Sequence, residues 1–480
     1  MAAFLTLAIL LILVFGAIPV AAVLGMLSLT LDQIYFSGGL QNALGEFVWE
    51  KSKEFILVAI PMFILLGEIM LRAGIAQRMY NAVIQWLSWL PGGLMHANIG
   101  SCAIFAASSG SSVATAATVG TVAIPEIEKR GYNERLFLGT LAAGGTLGIL
   151  IPPSINLIIY GLITETSVPE LYLAGIIPGL LLSIIFMLVV IAACLYRPAW
   201  GGAPVPTTWA DRIRVLPDLL PPVLLFVVVV GSIYAGIATP TEAASVGVVF
   251  AIGLAAWHRT GGFKFWIGIA LLTVVEIIVV QLEIIPTQFR IMAATAILLA
   301  AILYAVKRDI IPGRMFLEAF KGTMRSTAMI MLIILAAVFL NFVLGFMGVT
   351  KDIIDFIAAM GLTPFETLLI IVGFYLILGM FMETLSMMLT TVPIVFPIVS
   401  GLGYDPVWFG ILVTVLMETA LITPPIGVNL YVVHGVREGR GKFNDVAVGS
   451  IPFVFAMLVM IALLIALPDL ALYLPTEVYR

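Results

Sequence analysis

Apolar runs of about 20 residues recur along the whole 480-residue sequence and constrain its fold more than any other feature. A helix of that length crosses a bilayer hydrocarbon core of about 30 Å. Only 10% of the residues are charged, against about 25% in soluble domains, so this chain could not cover its surface in water. No alternating pattern typical of membrane strands occurs. The sequence therefore predicts an all-α polytopic protein in a lipid bilayer, and nothing in it indicates nucleic-acid binding.

We predict about eleven transmembrane helices. They fall at residues 3–30, 54–72, 134–163, 171–196, 218–236, 242–257, 266–285, 291–306, 327–348, 406–435 and 449–473. Two further apolar stretches, 95–127 and 364–399, hold Gly, Ser, Thr or Pro near their middles. We interpret both as re-entrant helical hairpins, because interrupted backbone is tolerated at membrane depth only where protein or a polar cavity satisfies it.

The second half of the chain repeats the first at a constant spacing of 272 residues, counted from Pro125 to Pro397. At the same spacing Tyr132 matches Tyr404, and the Pro152-Pro153 pair matches Pro424-Pro425. Basic residues follow the first hairpin and the second Pro-Pro pair. No basic residue follows directly after the matching segments, which are the second hairpin and the first Pro-Pro pair. Since Lys and Arg concentrate on the cytoplasmic side, the two repeats are predicted to be inverted, with the N-terminus inside and the C-terminus outside.

This interpretation divides the chain into five parts. They are an N-terminal helix and external loop (1–53), a first inverted repeat (54–196), a linker with scaffold helices (197–325), a second inverted repeat (326–448) and a C-terminal membrane helix (449–480). The first repeat holds hairpin 95–127 and broken helix 134–163, and the second holds hairpin 364–399 and broken helix 406–435. Inverted repeats with interrupted helices are typical of transporters whose sites lie where the breaks meet.

The two broken helices are candidates for cation binding. Each carries a Pro-Pro pair, and proline removes a backbone donor and blocks helical hydrogen bonding. Unwinding leaves carbonyl oxygens that a bound cation such as Na⁺ could satisfy. Proline pairs that merely kink packed helices are the alternative interpretation. Asn156 and Asn429 follow the two breaks and are expected to orient the unwound backbone.

The hairpin tips supply side chains for a substrate path. The first tip holds the cluster Ser108, Ser109, Gly110, Ser111 and Ser112. Hydroxyl residues also permit close helix packing, which is the simpler explanation for some of them. Acids at membrane depth are functional suspects by default, and we favour Glu383 and Glu418 over Glu68 and Glu276 because they lie at the second hairpin and break. No Arg or Lys falls in the tips or breaks, so a carboxylate substrate would depend on hydroxyls, helix dipoles and bound cations.

An enzyme is not indicated, and we assign no catalytic residue. The sequence has no His-Glu-x-x-His motif, no Gly-x-Ser-x-Gly turn and no phosphate-binding Gly-x-x-x-x-Gly-Lys loop. Three alternatives to a transporter subunit stay open: a carboxylate transporter that acts alone, an intramembrane enzyme and a passive channel. The two cysteines lie in apolar stretches and are interpreted as packing residues.

Four motifs together resemble the large membrane subunit (DctM-like) of tripartite ATP-independent periplasmic (TRAP) transporters. They are GGTLGILIPPS at Gly144–Ser154, IPMFILLG at Ile60–Gly67, ATPTEAA at Ala238–Ala244 and ITPPIGVN at Ile422–Asn429. The resemblance implies an elevator-type importer of organic anions, commonly carboxylates, with Na⁺ as coupling ion and no other cofactor. It also implies a bacterial inner-membrane location and two partners, a small four-helix membrane subunit (Q type) and a periplasmic substrate-binding protein (P type).

The same resemblance implies two sodium sites. Carried over residue by residue, the first would involve Ser109, Ser111, Gly145, Gly148, Leu150 and Pro152. The second would involve Thr384, Thr419 and Thr423. The chain departs from the commoner form of the family at about 260–312, which resembles a two-helix insertion between the repeats.

Overall fold

The computed structural model describes residues 19–203, 205–260, 313–349, 360–425, 427–437 and 441–479, with isolated positions between 289 and 303 and between 351 and 355. Within these ranges the secondary structure elements are helices, joined by loops and by one isolated β-bridge between Tyr132 and Gly201. The predicted insertion at 260–312 and most of the first predicted crossing at 3–30 lie outside the described residues, and so does most of the segment 350–361.

The first half begins with α1 (Val20–Phe36), α2 (Leu44–Ser52), α3 (Ala59–Arg72) and α4 (Ile75–Leu87). The first predicted hairpin is α5 (Leu94–Ser109) followed by α6 (Ser112–Ala123), and a short helix, α7 (Pro125–Arg130), comes next. The first broken helix is α8 (Glu134–Leu150) followed by α9 (Ile155–Thr164). The linker region and its neighbours contain α10 (Val168–Tyr196), α11 (Trp209–Arg214), α12 (Leu216–Tyr234) and α13 (Pro240–Thr260).

The second half follows the same plan. A long helix, α14 (Gly313–Met347), precedes the second predicted hairpin, α15 (Pro364–Leu378) and α16 (Thr384–Gly401). The second broken helix is α17 (Pro406–Leu421) followed by α18 (Val428–Val436), and the chain ends in α19 (Phe443–Ala466) and α20 (Asp469–Tyr479). The predicted crossing 449–473 is therefore two helices, because Pro468 and a non-helical Leu467 separate them.

Six described helices are long and apolar enough to cross a membrane, or seven if the bent pair α8–α9 counts as one span. The all-helical membrane fold is confirmed, whereas the number eleven stays a prediction. Several elements are shorter than a full crossing because each hairpin and each break divides an apolar stretch into pieces of 9–18 residues. The division follows from Gly, Ser and Pro at the tips and breaks, where helical hydrogen bonding stops.

The packing of the two halves is reciprocal. Both helices of the first hairpin pack on α8, and both helices of the second pack on α17. The second helix of each hairpin also packs against the other repeat, since α6 contacts α18 and α16 contacts α9. A separate group forms where α3 packs against α13 and α14 while α14 packs against α1. The hairpins and breaks thus lie together at the centre, beside a wall made of α3 and α14.

Candidate functional site

Hydroxyls from the first hairpin tip gather beside the first broken helix. The Ser109 Oγ lies 2.7 Å from the Thr115 Oγ1, and the Thr115 hydroxyl donates to the Ser111 carbonyl at 2.8 Å. The Ser111 side chain caps α6 by accepting from the Ala114 N–H at 3.4 Å. Gly148 of α8 lies directly opposite, because a Cβ there would stand 2.7 Å from the Ser111 carbonyl oxygen. Three predicted cation ligands are therefore neighbours, joined by Thr115.

One turn earlier in α8, Gly145 provides room for contacts between the two repeats. A Cβ at Gly145 would stand 3.1 Å from the Ser112 carbonyl oxygen and 3.2 Å from the Asn429 Nδ2. The Asn429 amide donates to the Ala142 carbonyl at 3.4 Å, and its Oδ1 is buried with no hydrogen-bond partner in the described structure. Asn429 thus ties α18 of the second repeat to the broken helix of the first.

A buried carboxylate joins the first hairpin to the second broken helix. The Ser112 hydroxyl lies 2.8 Å from each carboxylate oxygen of Glu418, across 306 residues of sequence. Both side chains are 1% exposed. A hydroxyl has one hydrogen to donate, so this contact satisfies only part of the hydrogen-bonding capacity of a carboxyl group.

Glu383 begins α16 at the second hairpin tip. Its Oε2 accepts from both the N–H and the hydroxyl of Ser386 at 3.2 Å, which caps the helix. The Thr384 hydroxyl lies 3.4 Å from the other carboxylate oxygen. An acidic side chain at a helix N-terminus is favoured because the first N–H groups of a helix lack intrahelical partners.

The two threonines near the second break hydrogen-bond within their own segment. The Thr419 hydroxyl donates to the Val415 carbonyl at 2.7 Å, and the Thr423 hydroxyl donates to the Thr419 carbonyl at 2.7 Å. The second tip lies close by, since Gly379 faces Ala420 of α17. Both hydroxyl oxygens keep lone pairs that can accept a hydrogen bond or bind a cation.

Both tips and the first break open onto one cavity of about 330 Å³. The predicted residues on its wall are Ser109, Ser111, Ser112, Asn156, Glu383 and Thr384. The opposite wall comes from α3 and α14, through Gly67, Glu68, Ser326 and Met329. A concave, largely apolar site with a few convergent polar groups is the usual form of a small-molecule site.

The remaining predicted site residues, where the structure describes them, do not line the cavity. Leu150 and Pro152 are buried at the break, where the Leu150 carbonyl faces Gly175 of α10. The Pro153 carbonyl faces Gly110, so the first tip rests on the break. Both Pro-Pro peptide bonds are cis. The side chain of Ser108 lies outside the described part of the structure.

Two site residues are not among those that the sequence assigns to the sodium sites or the substrate path. Thr115 links Ser109 to the Ser111 carbonyl, and its spacing of one helical turn after Ser111 was the available signal. Glu68 lines the cavity from α3 and forms an ion pair with Arg72 at 2.9 Å. The sequence flagged Glu68 as an intramembrane acid, but it could not indicate that α3 faces both tips.

Two interrupted helices and two hairpins packed around one cavity with a few convergent polar groups define a membrane transporter rather than an enzyme. The chain belongs to the family described as "Tripartite ATP-independent periplasmic transporter, DctM component", which it matches over residues 7–265 and 262–470. The protein is thus one component of a three-part transporter.

Three similar proteins illustrate the range of the match. The C4-dicarboxylate TRAP transporter large permease protein DctM of Pseudomonas aeruginosa is 33% identical, over 94% of this chain and 93% of that protein. The sialic acid TRAP transporter large permease protein SiaM of Vibrio cholerae is 28% identical, over 88% of this chain and 86% of that protein. Among solved structures, the Alcanivorax borkumensis YdaH transporter shares the fold, with a TM-score of 0.55 at 16% identity over 99% of this chain and 98% of that one.

Proposed function

We propose that the protein is the large subunit of a secondary active transporter that imports a small organic anion, in particular a carboxylate, together with Na⁺ across the bacterial inner membrane. The observation that carries this proposal is the single cavity bordered by both hairpin tips and by the first break. Hydroxyls and helix N-termini line it, and such groups favour a carboxylate without a lysine or arginine. The relatives that act on C4-dicarboxylates and sialic acid support a carboxylate substrate.

The proposed first sodium site is the oxygen cluster beside Gly148. The Ser109 hydroxyl, the Ser111 carbonyl and the Thr115 hydroxyl lie within hydrogen-bond distance of one another, and hard cations prefer such oxygen ligands. Gly148 has no side chain, which leaves α8 close enough to contribute carbonyl oxygens from the break. The proposed second site is formed by Thr384, Thr419 and Thr423 near the second break.

An elevator movement is proposed because two cavities lie along one boundary, at which α16 faces α14. This boundary is called the seam. The substrate cavity meets α14 at Ser326 and Met329, and a second cavity of about 230 Å³ meets it at Asn341 and Phe342. On the facing wall, α16 lines the first cavity through Leu385 and the second through Leu389 and Pro393. Sliding of the hairpins and breaks along α3 and α14 would expose the substrate site first to one end of the seam and then to the other.

The two partners are proposed to be a small four-helix membrane subunit and a periplasmic substrate-binding protein. The three-part description of the family supports two partners. Large apolar side chains on the exposed face of α10, among them Leu180, Ile184 and Leu188, are available to lipid or to a membrane partner.

The sodium sites are tested by two substitutions at the hairpin tips. Ser109→Ala and Thr384→Ala are each expected to weaken the rise in melting temperature that NaCl produces over choline chloride, because each removes a hydroxyl oxygen that belongs to a proposed sodium site. Ser52→Ala, which truncates an exposed hydroxyl on α2, is the matched control. A sodium response equal to that of the wild type in both tip variants would contradict the assignment.

A further inference from the structure

The charged side chains on the cavity wall are all acidic. Glu383 enters from the second hairpin tip and Glu68 from α3, and no Lys or Arg is among the described residues that line the cavity. Arg72 is bound to Glu68, whose side chain is 22% exposed. Among the described residues, Glu383 accepts hydrogen bonds but makes no ion pair. A substrate that carries only negative charge would therefore meet two carboxylates.

The same cavity is also lined by an unsatisfied donor. Asn156 of α9 lines the cavity and is 2% exposed, yet its Nδ2 has no hydrogen-bond partner in the described structure. A buried amide without a partner is destabilising, so this donor favours an acceptor that enters the cavity. Its position in the first turn of α9 places the helix N-terminus beside it, where an anionic group is favoured.

The N-terminus of α6 adds further donors. Ser112 and Val113 line the cavity in the first turn of the helix, where backbone N–H groups lack intrahelical acceptors. The next N–H, that of Ala114, is already bonded to the Ser111 hydroxyl. The cavity is therefore lined both by donors from α6 and α9 and by the carboxylates of Glu383 and Glu68.

We propose that this cavity recognises a zwitterion, meaning a small carboxylate that also carries an ammonium or quaternary nitrogen group. The carboxylate of the substrate is held by the Asn156 amide and the N-termini of α6 and α9, and its cationic group is held by Glu383 and faces Glu68. This inference rests on the proposed transport function and specifies the carboxylate substrate further, as one whose negative charge is balanced by a cationic group. Glu383 becomes the residue that selects for the cationic group.

Probes matched in chain length test the charge preference. The melting temperature of the purified full chain is measured in NaCl with succinate, butanoate or 4-aminobutanoate, and again with glutarate or 5-aminopentanoate. A ligand that binds only the folded state raises the melting temperature with its concentration. The aminocarboxylates are expected to stabilise the protein at lower concentration than the dicarboxylates and butanoate. In Glu383→Gln the apparent affinity for the aminocarboxylates should fall about tenfold or more, the size of one lost charge-assisted hydrogen bond.

The control variant is Glu477→Gln, which changes an exposed carboxylate on α20 and should leave the order of the probes unchanged. If the dicarboxylates stabilise the protein and neither aminocarboxylate does, the inference fails while the proposed import of anions stands. If Glu383→Gln abolishes the response to NaCl alone and leaves the preference among the organic probes intact, Glu383 serves the coupling ion and the inference also fails. Absence of any sodium-specific response in the wild type would instead count against the proposed coupling.

Discussion

At the scale of single residues, the contact between Ser112 and Glu418 links the first hairpin to the second broken helix. The glutamate is buried, and among the described residues it makes no ion pair. Burial of a carboxyl group is costly unless hydrogen bonds compensate, so the Ser112 hydroxyl contributes to the stability of the central packing. The substrate cavity reaches Ser112 but not Glu418, which is therefore shielded from a ligand in this conformation.

Ser112→Ala is expected to lower the free energy of unfolding by about 1–3 kcal/mol, because it leaves a buried acceptor without its donor. The measurement is the melting temperature of the purified chain in detergent. In the double variant Ser112→Ala/Glu418→Leu, part of the loss should be recovered, since both polar partners are gone. Additive losses in the double variant would show that the two side chains are not coupled.

Gly148→Ala is expected to abolish the sodium-dependent rise in melting temperature. The new Cβ would stand 2.7 Å from the Ser111 carbonyl oxygen, so the hairpin tip must move away from the break. Gly373→Ala in α15 is the control, because nothing lies within 4 Å of a Cβ at that position. A full sodium response in Gly148→Ala would show that this close approach is not needed for ion binding.

At the scale of the helices, the interrupted elements could be predicted and their mutual contacts could not. The two Pro-Pro pairs fall where α8 and α17 end, because proline lacks the backbone donor that continues helical hydrogen bonding. In the structure, α8 and α9 are bent relative to each other by 44° at the first break. By contrast, the contacts of Ser112 with Glu418 and of Asn429 with Ala142 join residues far apart in sequence, and no local pattern encodes them.

Two ion pairs hold the start of α8 to the C-terminal end of α18 and to the first turn of α19. Arg437 binds Glu134, and Arg135 lies 3.0 Å from Asp445. The first pair includes a guanidinium that is only 2% exposed, whereas the Arg135 side chain is 56% exposed. They join the two repeats at the ends of the central helices.

The two pairs are expected to differ in their effect on stability. Glu134→Gln should lower the melting temperature clearly, because it leaves a buried guanidinium without its counter-charge. Arg135→Gln should change the free energy of unfolding by less than about 1 kcal/mol, as is usual for exposed pairs. Equal effects of the two substitutions would contradict the assignment of the buried pair as the stabilising contact.

At the scale of the whole molecule, the charge pattern predicts how the protein lies in the membrane. Lys and Arg follow the first hairpin and the second break, which predicts an internal N-terminus and an external C-terminus. The helices themselves are compatible with either orientation, since length and apolar character do not distinguish the two sides. The reciprocal packing of the two halves agrees with a repeated plan, but the boundaries of the five predicted parts stay predictions.

Labelling of single cysteines tests this orientation. Glu477→Cys on α20 is expected to react with a membrane-impermeant maleimide added to intact cells, and Lys129→Cys on α7 only after the membrane is opened. Both positions carry exposed side chains, while the natural Cys102 and Cys194 are buried. The reverse pattern would overturn the predicted orientation and the crossing count on which it depends.

The central claim is that broken helices and hairpin tips together bind Na⁺. Its most direct test is the melting temperature of the purified wild-type chain in NaCl and in choline chloride at equal ionic strength. An ion that binds only the folded state raises the melting temperature with its concentration, so a saturable rise specific to Na⁺ is expected. Equal melting temperatures at every concentration of the two salts would contradict sodium binding at these sites.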